Sequence, residues 1–472
     1  MKKRKRKQQH SLVMEDRFQK PCRQESFDVY RLGSDSRVHV TTDSRTTGCN
    51  NNYLIVGGSG SGKTESIAKP MIHSTVNSNL VVVCTKKEII QYTVSDLKEK
   101  GYRTLLLNLV EPEKSLYGYD PLFYCQNSVD VHDLAHTFMR ATNHRESDND
   151  PFWSNSAENL MATIMDVVRS GNYEKGKSMD KALYLLDYLF YSDSEDWKLI
   201  EALDTEAEIA EKKKRQRGPL DILIEKEEKK KRQRYPLHIL MEEKAKKKRQ
   251  WNIVWETFIN LPEQTGSCVA ASVQEPLNKV FTEEIRTLLR NEKKFTFAEL
   301  LQPKTAVIVY VSPVNRANHA FVSIFYQQLF KNLFELAEKK DSGKLPYPVQ
   351  VICDDFATGC KVPEFQELIS IFREKRIGVT LLIQSESQLA AMYGDRNATT
   401  IINNCDTYVY LGGMDLKTCE SISKRLNIPS YEVLNMPIGM EYVFRRGQEP
   451  IKMKRYSVQD VNEKTTKRSK ER

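Results

Sequence analysis

The amino-acid sequence predicts an α/β fold with a mostly parallel sheet that is interrupted by a mostly helical insertion. Short apolar runs rich in β-branched residues alternate with helical patterns up to about residue 110. Strand patterns then largely vanish between about residues 130 and 290, and they return after residue 304. Alternation of strands and helices is typical of parallel sheets whose strands are joined by helical crossovers.

Seven apolar runs are predicted as strands, and a helix is predicted over about 88–100. The strands are residues 53–56, 80–84, 104–109, 305–311, 349–353, 378–383 and 407–411. We accordingly divide the chain into five segments. These are a polar, irregular arm (1–48), the first part of the α/β domain (49–128), an all-α insertion (129–298), the second part of the α/β domain (299–456) and a charged, disordered tail (457–472).

The net charge of +9 is concentrated in local runs, so it is weak evidence for nucleic-acid binding by itself. Residues 211–250 alone hold 16 Lys/Arg and 7 Asp/Glu. Within this segment Lys-Lys-Lys-Arg-Gln recurs from Lys212, Lys229 and Lys246 with a period of 17 residues. Such a run fits a solvated charged helix pair or a duplication, and it also fits a loop that contacts phosphate.

Composition favours a cytoplasmic protein. No run approaches the roughly 20 apolar residues that a membrane-spanning helix needs. The nine cysteines are scattered without a Cys-x-x-Cys pair, which supports neither a zinc site nor a disulfide framework.

The clearest chemical motif follows the first apolar run of the α/β domain. It fits the pattern G-x-x-x-x-G-K-[ST] between a predicted strand and a predicted helix, the context expected of a P-loop. Its members are Gly57, Gly58, Ser59, Gly60, Ser61, Gly62, Lys63 and Thr64. Glycines let the backbone wrap around phosphate, Lys63 reaches the β- and γ-phosphates, and Thr64 binds Mg²⁺. The motif therefore predicts ATP and Mg²⁺ as ligands.

A second acidic motif ends the strand predicted over 349–353. Asp354 is predicted to hold Mg²⁺, and Asp355 is predicted to polarise the attacking water. The alternative is an acidic turn that only caps the strand. The strand over 378–383 ends at Gln384, which fits a group that senses the γ-phosphate or positions water, and also an ordinary loop residue.

Two arginines lie on the predicted helix between these strands, Arg373 and Arg376. Either one fits a finger that acts on the nucleotide of a neighbouring subunit, because such groups stabilise transition-state charge. Either one also fits an ordinary surface arginine.

In their order and their residues, these motifs resemble those of the type IV secretion coupling proteins, the TraG/TrwB-like conjugation ATPases related to FtsK-type DNA pumps. The resemblance spans about residues 50 to 450. The similar segments are residues 51–64, 101–109, 115–122, 150–153, 157–158, 354–357, 382–385, 388–389, 393–394 and 401–406.

The resemblance implies a RecA-like motor domain carrying an inserted all-α domain, and six subunits in a ring that links a relaxase–DNA complex to a secretion channel. The sequence departs from the family at three places. It has no recognisable N-terminal membrane anchor, so we expect a soluble form that reaches the inner face of the membrane through a partner. Thr85-Lys86-Lys87 stands where Asp-Pro-Lys is frequent, and Asp355 stands where Glu is usual.

We therefore predict an ATP-hydrolysing motor that drives DNA, expected to be single-stranded and carried with a relaxase, or a nucleoprotein to a secretion channel during conjugation. Two alternatives stay open at this level. One is another FtsK-like motor that translocates DNA, and the other is a nucleotide-gated docking platform with little hydrolysis.

Overall fold

A computed structural model describes residues 27–142, 151–170, 177–190, 261–356 and 361–456 of the chain. Its centre is a nine-stranded sheet in the order β11-β10-β9-β3-β8-β7-β4-β6-β5. The strands are β3 (Tyr53–Val56), β4 (Asn79–Cys84), β5 (Arg103–Asn108), β6 (Thr305–Tyr310), β7 (Val349–Cys353), β8 (Ile377–Ile383), β9 (Thr407–Tyr410), β10 (Met440–Arg445) and β11 (Ile451–Lys454). A separate hairpin pairs β1 (Val29–Arg31) with β2 (His39–Thr41).

The strands from β3 to β9 are parallel to one another, and β10 and β11 extend the edge beyond β9 in antiparallel fashion. All residues of β3, β4, β7, β8 and β9 are buried. Helices cover both faces of such a parallel sheet, which explains why these strands read as continuous apolar runs.

Fourteen α-helices fall within the described residues. They are α1 (Ser44–Thr47), α2 (Lys69–Ser74), α3 (Lys87–Glu99), α4 (Ser128–Thr142), α5 (Pro151–Ser170), α6 (Met179–Phe190), α7 (Glu263–Val280), α8 (Glu283–Arg290), α9 (Arg316–Glu338), α10 (Phe365–Lys375), α11 (Glu386–Tyr393), α12 (Asp395–Asn403), α13 (Leu416–Leu426) and α14 (Ser430–Leu434). In the part of the chain that the structure describes, no helix has the length and apolar character needed to cross a membrane.

The predicted fold class is confirmed. All seven predicted strands are present in the central sheet, and helices α4 to α8 separate β5 from β6. The proposed domain boundaries stay predictions. The lysine-rich repeat over 211–250 and the tail over 457–472 lie outside the described residues.

The prediction of a polar, irregular arm is wrong for residues 27–48. Tyr30, Leu32 and Val40 of the hairpin are buried, and Tyr30 contacts Tyr53 of β3 edge-on with 5.8 Å between ring centroids. The carboxylate of Asp28 accepts hydrogen bonds from three successive backbone N–H groups of residues 76–78, at 2.8 to 2.9 Å. The hairpin is therefore anchored to the turn that leads into β4.

Strands β10 and β11 were not predicted. Both mix charged with apolar residues, and β11 has only four residues, so neither forms a long apolar run. The pairing of β10 with β9, and of β11 with β10, is nevertheless what brings the last described part of the chain toward the rest of the sheet.

An aromatic cluster packs the helical region against the rest of the molecule. Its centre is Tyr119, whose ring lies 5.3 Å from that of Phe321 and 5.5 Å from that of Phe325, both on α9. The Tyr119 hydroxyl donates to Gln328 Oε1 at 2.6 Å, so its polar end is satisfied in the core. Burial of these large rings stabilises the packing of α9 against the segment around Tyr119.

Burial of the Glu441 carboxyl group on β10 has an energetic cost that can be measured. Neither of its carboxylate oxygens has a hydrogen-bond partner among the described residues. Burial raises the pKa of Glu441 from 4.5 to about 8, although the charge of Arg455 offsets part of the effect. Because the folded-state pKa lies above the unfolded-state pKa, ionisation of Glu441 should reduce stability as pH rises from about 4.5 through about 8.

We therefore expect Glu441→Gln to melt at a higher temperature than the wild type near pH 9, and the difference to shrink toward about pH 5. Thermal melts followed by circular dichroism across this range provide the measurement. Glu449→Gln, at an exposed position of the same hairpin, is the matched control. A difference that does not change with pH would contradict the assignment.

Candidate active site

The P-loop connects the end of β3 to α2, and its path depends on glycine. Gly60 and Gly62 have positive φ angles of 72° and 80°, which glycine adopts without steric cost. A Cβ at Gly57 would lie 2.9 Å from Leu411 Cβ, so no larger residue fits there without displacement. Gly58 N–H donates to Gly412 O at 2.9 Å, which fixes the start of the loop against the segment after β9.

The loop presents backbone donors at a helix N-terminus. The N–H groups of Gly62, Lys63 and Thr64 donate to no protein acceptor among the residues that the structure describes. A π-turn over Thr64–Ala68 follows directly and continues into α2. Unpaired N–H groups and the positive end of a helix together form an anion-binding site.

Lys63 is held over this loop. Its ammonium group donates to Gly57 O at 2.6 Å and to Gly58 O at 3.3 Å, and the side chain is buried. Burial lowers the pKa of Lys63, and the nearby charges of Asp355 and Asp354 offset part of the effect. The buried ammonium group and the unpaired N–H donors together provide positive charge at this loop.

Asp354 lies directly after β7, with its Oδ1 atom 3.5 Å from the hydroxyl oxygen of Thr64. The side chain is buried, and Oδ2 has no hydrogen-bond partner among the described residues. Burial, reinforced by the charge of Asp355, raises the pKa of Asp354 to about 6. A buried carboxylate oxygen without a donor is costly, and a cation would remove that cost.

Asp355 adopts the left-handed backbone conformation with φ of 52°. Non-glycine residues in this conformation are uncommon, and they cluster at functional sites. The conformation turns the chain sharply after β7, and Oδ2 of Asp355 lies 3.5 Å from the Thr85 hydroxyl at the end of the neighbouring strand β4.

Gln384 comes from β8, the strand between β3 and β7 in the sheet. Its strand neighbour Ile383 pairs with Val56, and Gly57 N–H donates to Ile383 O at 3.2 Å. Gln384 is exposed. It follows the end of β8, the strand that separates the P-loop from the two aspartates.

The structure does not bring Arg373 or Arg376 to the P-loop of the same chain. Arg376 lies between the end of α10 and the start of β8, whereas the P-loop adjoins the other end of β8, about 20 Å away for a seven-residue strand. Arg373 donates to Ser44 O at 3.2 Å. A role in a neighbouring subunit's site stays a prediction for both.

Two further residues near the site were not predicted. The charge of Lys86, just past β4, adds to the lowering of the Lys63 pKa by burial and offsets part of the rise in the Asp354 pKa. Arg455, just past β11, donates to the P-loop carbonyl of Ser61. Lys86 could have been suspected from its position after a strand, but Arg455 could not, because the sequence does not reveal that β11 lies at this edge.

Unpaired N–H groups, a buried lysine, and a threonine next to a buried aspartate define a site of the P-loop nucleotide-binding class, on a doubly covered parallel sheet. The chain matches the family model described as "Type IV secretory system Conjugative DNA transfer" over residues 1–427. It therefore belongs to this family of conjugative DNA transfer proteins, and the predicted resemblance to the type IV secretion coupling proteins is confirmed.

Solved structures with the same fold include coupling proteins. TrwBdeltaN70 in complex with sulphate superimposes with a TM-score of 0.59 at 15% identity, covering 86% of this chain and 85% of that chain. TrwB in complex with ADP and Mg²⁺ gives a TM-score of 0.60 at 14% identity, covering 86% of each chain. VirB4 of Thermoanaerobacter pseudethanolicus gives 0.54 at 11% identity, covering 91% and 97%. No curated protein matches the sequence.

Asp355→Asn tests the predicted role of this carboxylate in hydrolysis. Asn tolerates the left-handed conformation well, so the variant should keep the fold while it removes the charge. We expect ATP turnover to fall at least about 100-fold with ATP binding retained, as measured by steady-state hydrolysis and equilibrium binding. Asp355→Glu should retain turnover or raise it, because the family resemblance places Glu at this position. Wild-type turnover in Asp355→Asn would show that another group polarises the water.

Lys86→Ala tests whether this unpredicted cation contributes to nucleotide binding. Removing its charge near Lys63 and Asp354 should weaken ATP binding about twofold to fivefold, the scale of one exposed charge. Lys87→Ala is the matched control, because Lys87 is the first residue of α3 and its charge acts on Glu111 instead. Equal effects of the two variants would contradict a specific role for Lys86.

Proposed function

We propose that this protein is an ATP-hydrolysing motor of conjugative DNA transfer that drives DNA, or a relaxase–DNA complex, toward a secretion channel. The observation that carries the proposal is the convergence of Lys63, Thr64 and Asp354 at one edge of the sheet. Family membership supplies the biological process. A P-loop with both metal-side residues in place is the arrangement that phosphoryl transfer requires.

Lys63 and the free N–H groups would bind the phosphates. The amides of Gly62, Lys63 and Thr64 provide fixed dipoles. The Lys63 ammonium would place a positive charge next to the oxygen that bridges the β- and γ-phosphates. Such preorganised donors stabilise the charge that develops as the bond between the γ-phosphorus and the β,γ-bridging oxygen breaks.

Thr64 and Asp354 would hold Mg²⁺. The pair fits this ion because Mg²⁺ is usually bound by one or two protein oxygen ligands together with substrate phosphates. The buried, unpartnered Oδ2 of Asp354 is the specific feature that a cation would satisfy. When bound, Mg²⁺ supplies positive charge against the β- and γ-phosphate oxygens.

Asp355 would accept a proton from the water that attacks the γ-phosphorus, yielding ADP and phosphate. Gln384, on the strand between the P-loop and Asp355, would orient this water or report the state of the γ-phosphate. Positioning by a glutamine amide is a recurrent solution in P-loop NTPases.

We infer that the protein works as a ring, expected to contain six subunits. Arg455 contacts the P-loop of its own chain, but its guanidinium group donates to the carbonyl groups of Ser61 and Leu411 and not toward the side of the loop where Lys63 lies. A transition-state arginine from a neighbouring subunit, with Arg373 and Arg376 as the candidates, would complete the site. We further infer attachment to the inner face of the membrane through channel or anchor proteins.

Turnover should depend on both DNA and protein concentration. We expect single-stranded DNA to stimulate ATP hydrolysis and the rate per subunit to rise across a dilution series as rings assemble. The measurement is steady-state turnover combined with light scattering, with Lys63→Ala as the inactive control.

Turnover that is flat across the series in a protein shown to be monomeric would contradict the ring. Nucleotide binding without DNA-stimulated hydrolysis would favour a docking platform instead.

A further inference from the structure

The Arg455 side chain donates hydrogen bonds to three separate backbone segments, one of which is the P-loop. Its Nη1 group donates to Ser61 O inside the loop, and Nη2 donates to Leu411 O just after β9. Its Nε group donates to Met440 O at 3.1 Å, at the start of β10. One planar guanidinium therefore ties the P-loop to the sheet edge formed by β9 and β10.

The position of this guanidinium is fixed by the C-terminal hairpin. Arg455 follows β11 directly, and its own N–H donates to Gly439 O at 2.9 Å, so its backbone is held at the base of the hairpin. The side chain is partly buried, and burial lowers the pKa of Arg455, an effect that the nearby carboxyl group of Glu441 offsets in part. Both residues lie beyond residue 427, where the matched family region ends.

The bond to Ser61 O has a direct consequence for phosphate binding. The peptide between Ser61 and Gly62 is planar and trans, so its C=O and N–H groups point in opposite directions. Holding the carbonyl toward Arg455 therefore turns the Gly62 N–H away from the hairpin. This N–H is one of the free donors next to Lys63 that a phosphate would contact.

Gly62 would otherwise allow this peptide to rotate. It adopts φ of 80°, and glycine populates several backbone regions at similar energy, so the loop alone specifies the orientation weakly. A charge-assisted hydrogen bond to the carbonyl is strong enough to select one orientation.

We propose that Arg455 is a positioning residue, which orients the Ser61–Gly62 peptide for phosphate binding and makes the nucleotide site depend on the C-terminal hairpin. The proposal rests on the nucleotide site described above but not on hydrolysis or DNA translocation. Arg455 is suited to this task because guanidinium donors form a rigid fork, which a lysine ammonium cannot reproduce.

The test compares Arg455→Gln, Arg455→Lys and Lys454→Gln in the full chain. Lys454 is the adjacent, exposed cation on β11 and controls for loss of one positive charge at this edge. Calorimetry with ADP and Mg²⁺ gives the dissociation constant, and thermal melts without nucleotide give stability. Steady-state assays separate KM from kcat.

We expect Arg455→Gln to weaken ADP binding about tenfold and to raise KM for ATP more than it lowers kcat, since one charge-assisted hydrogen bond to the loop is lost. Arg455→Lys should recover only part of the affinity, and Lys454→Gln should bind as the wild type does.

Wild-type affinity in Arg455→Gln would overturn the proposal. If Arg455→Gln does not fold, then wild-type affinity in Arg455→Lys overturns it, and an intermediate affinity supports it. Wild-type protein that binds ADP but shows no DNA-stimulated turnover would contradict the motor function alone, because the comparison of ADP affinities does not depend on turnover.

Discussion

Parallel pairing of β3, β8 and β7 is the constraint on which the site depends. Because the three strands run in the same direction, their carboxyl ends meet at one edge, and the residues that follow them converge there. The P-loop leaves β3, Gln384 leaves β8 and the two aspartates leave β7. Thr64 and Asp354 are 290 residues apart in sequence, yet their side-chain oxygens lie 3.5 Å apart.

This arrangement concentrates charge in a buried place. Burial lowers the pKa of Lys63 and raises the pKa of Asp354, so each charged form is less stable here than in water. The negative charge of a phosphate would stabilise the charged form of Lys63, and the positive charge of a metal ion would stabilise that of Asp354. The same low-dielectric surroundings that make the site costly make its interactions with a charged nucleotide strong.

Much of the site follows from local sequence, because its motifs are contiguous. The P-loop lies in one eight-residue segment, and Asp354 and Asp355 follow an apolar strand. The spacing of the P-loop motif and the apolar pattern of the strand therefore suffice to find these residues. The strands of the parallel core are equally visible, since burial on both faces makes them continuously apolar.

The residues that were missed depend on long-range pairing. Tyr30 and Leu32 of the N-terminal hairpin occur in a polar segment, and only their alternation hints at a strand. Arg455 contacts Ser61 only because β11 and β10 pair beyond β9, and local sequence does not specify the order of strands in a sheet. The placement of Arg373 and Arg376 at the opposite edge likewise follows from strand direction.

The central claim is that this edge of the sheet forms one nucleotide and metal site around Lys63. Equilibrium binding of ATP with Mg²⁺ and steady-state hydrolysis, measured together on wild type and Lys63→Ala, test it most directly. The account predicts that the variant keeps the melting temperature and loses turnover by about 100-fold or more, since no neighbouring group replaces the ammonium. Wild-type turnover in a correctly folded Lys63→Ala protein would contradict the assignment of the P-loop.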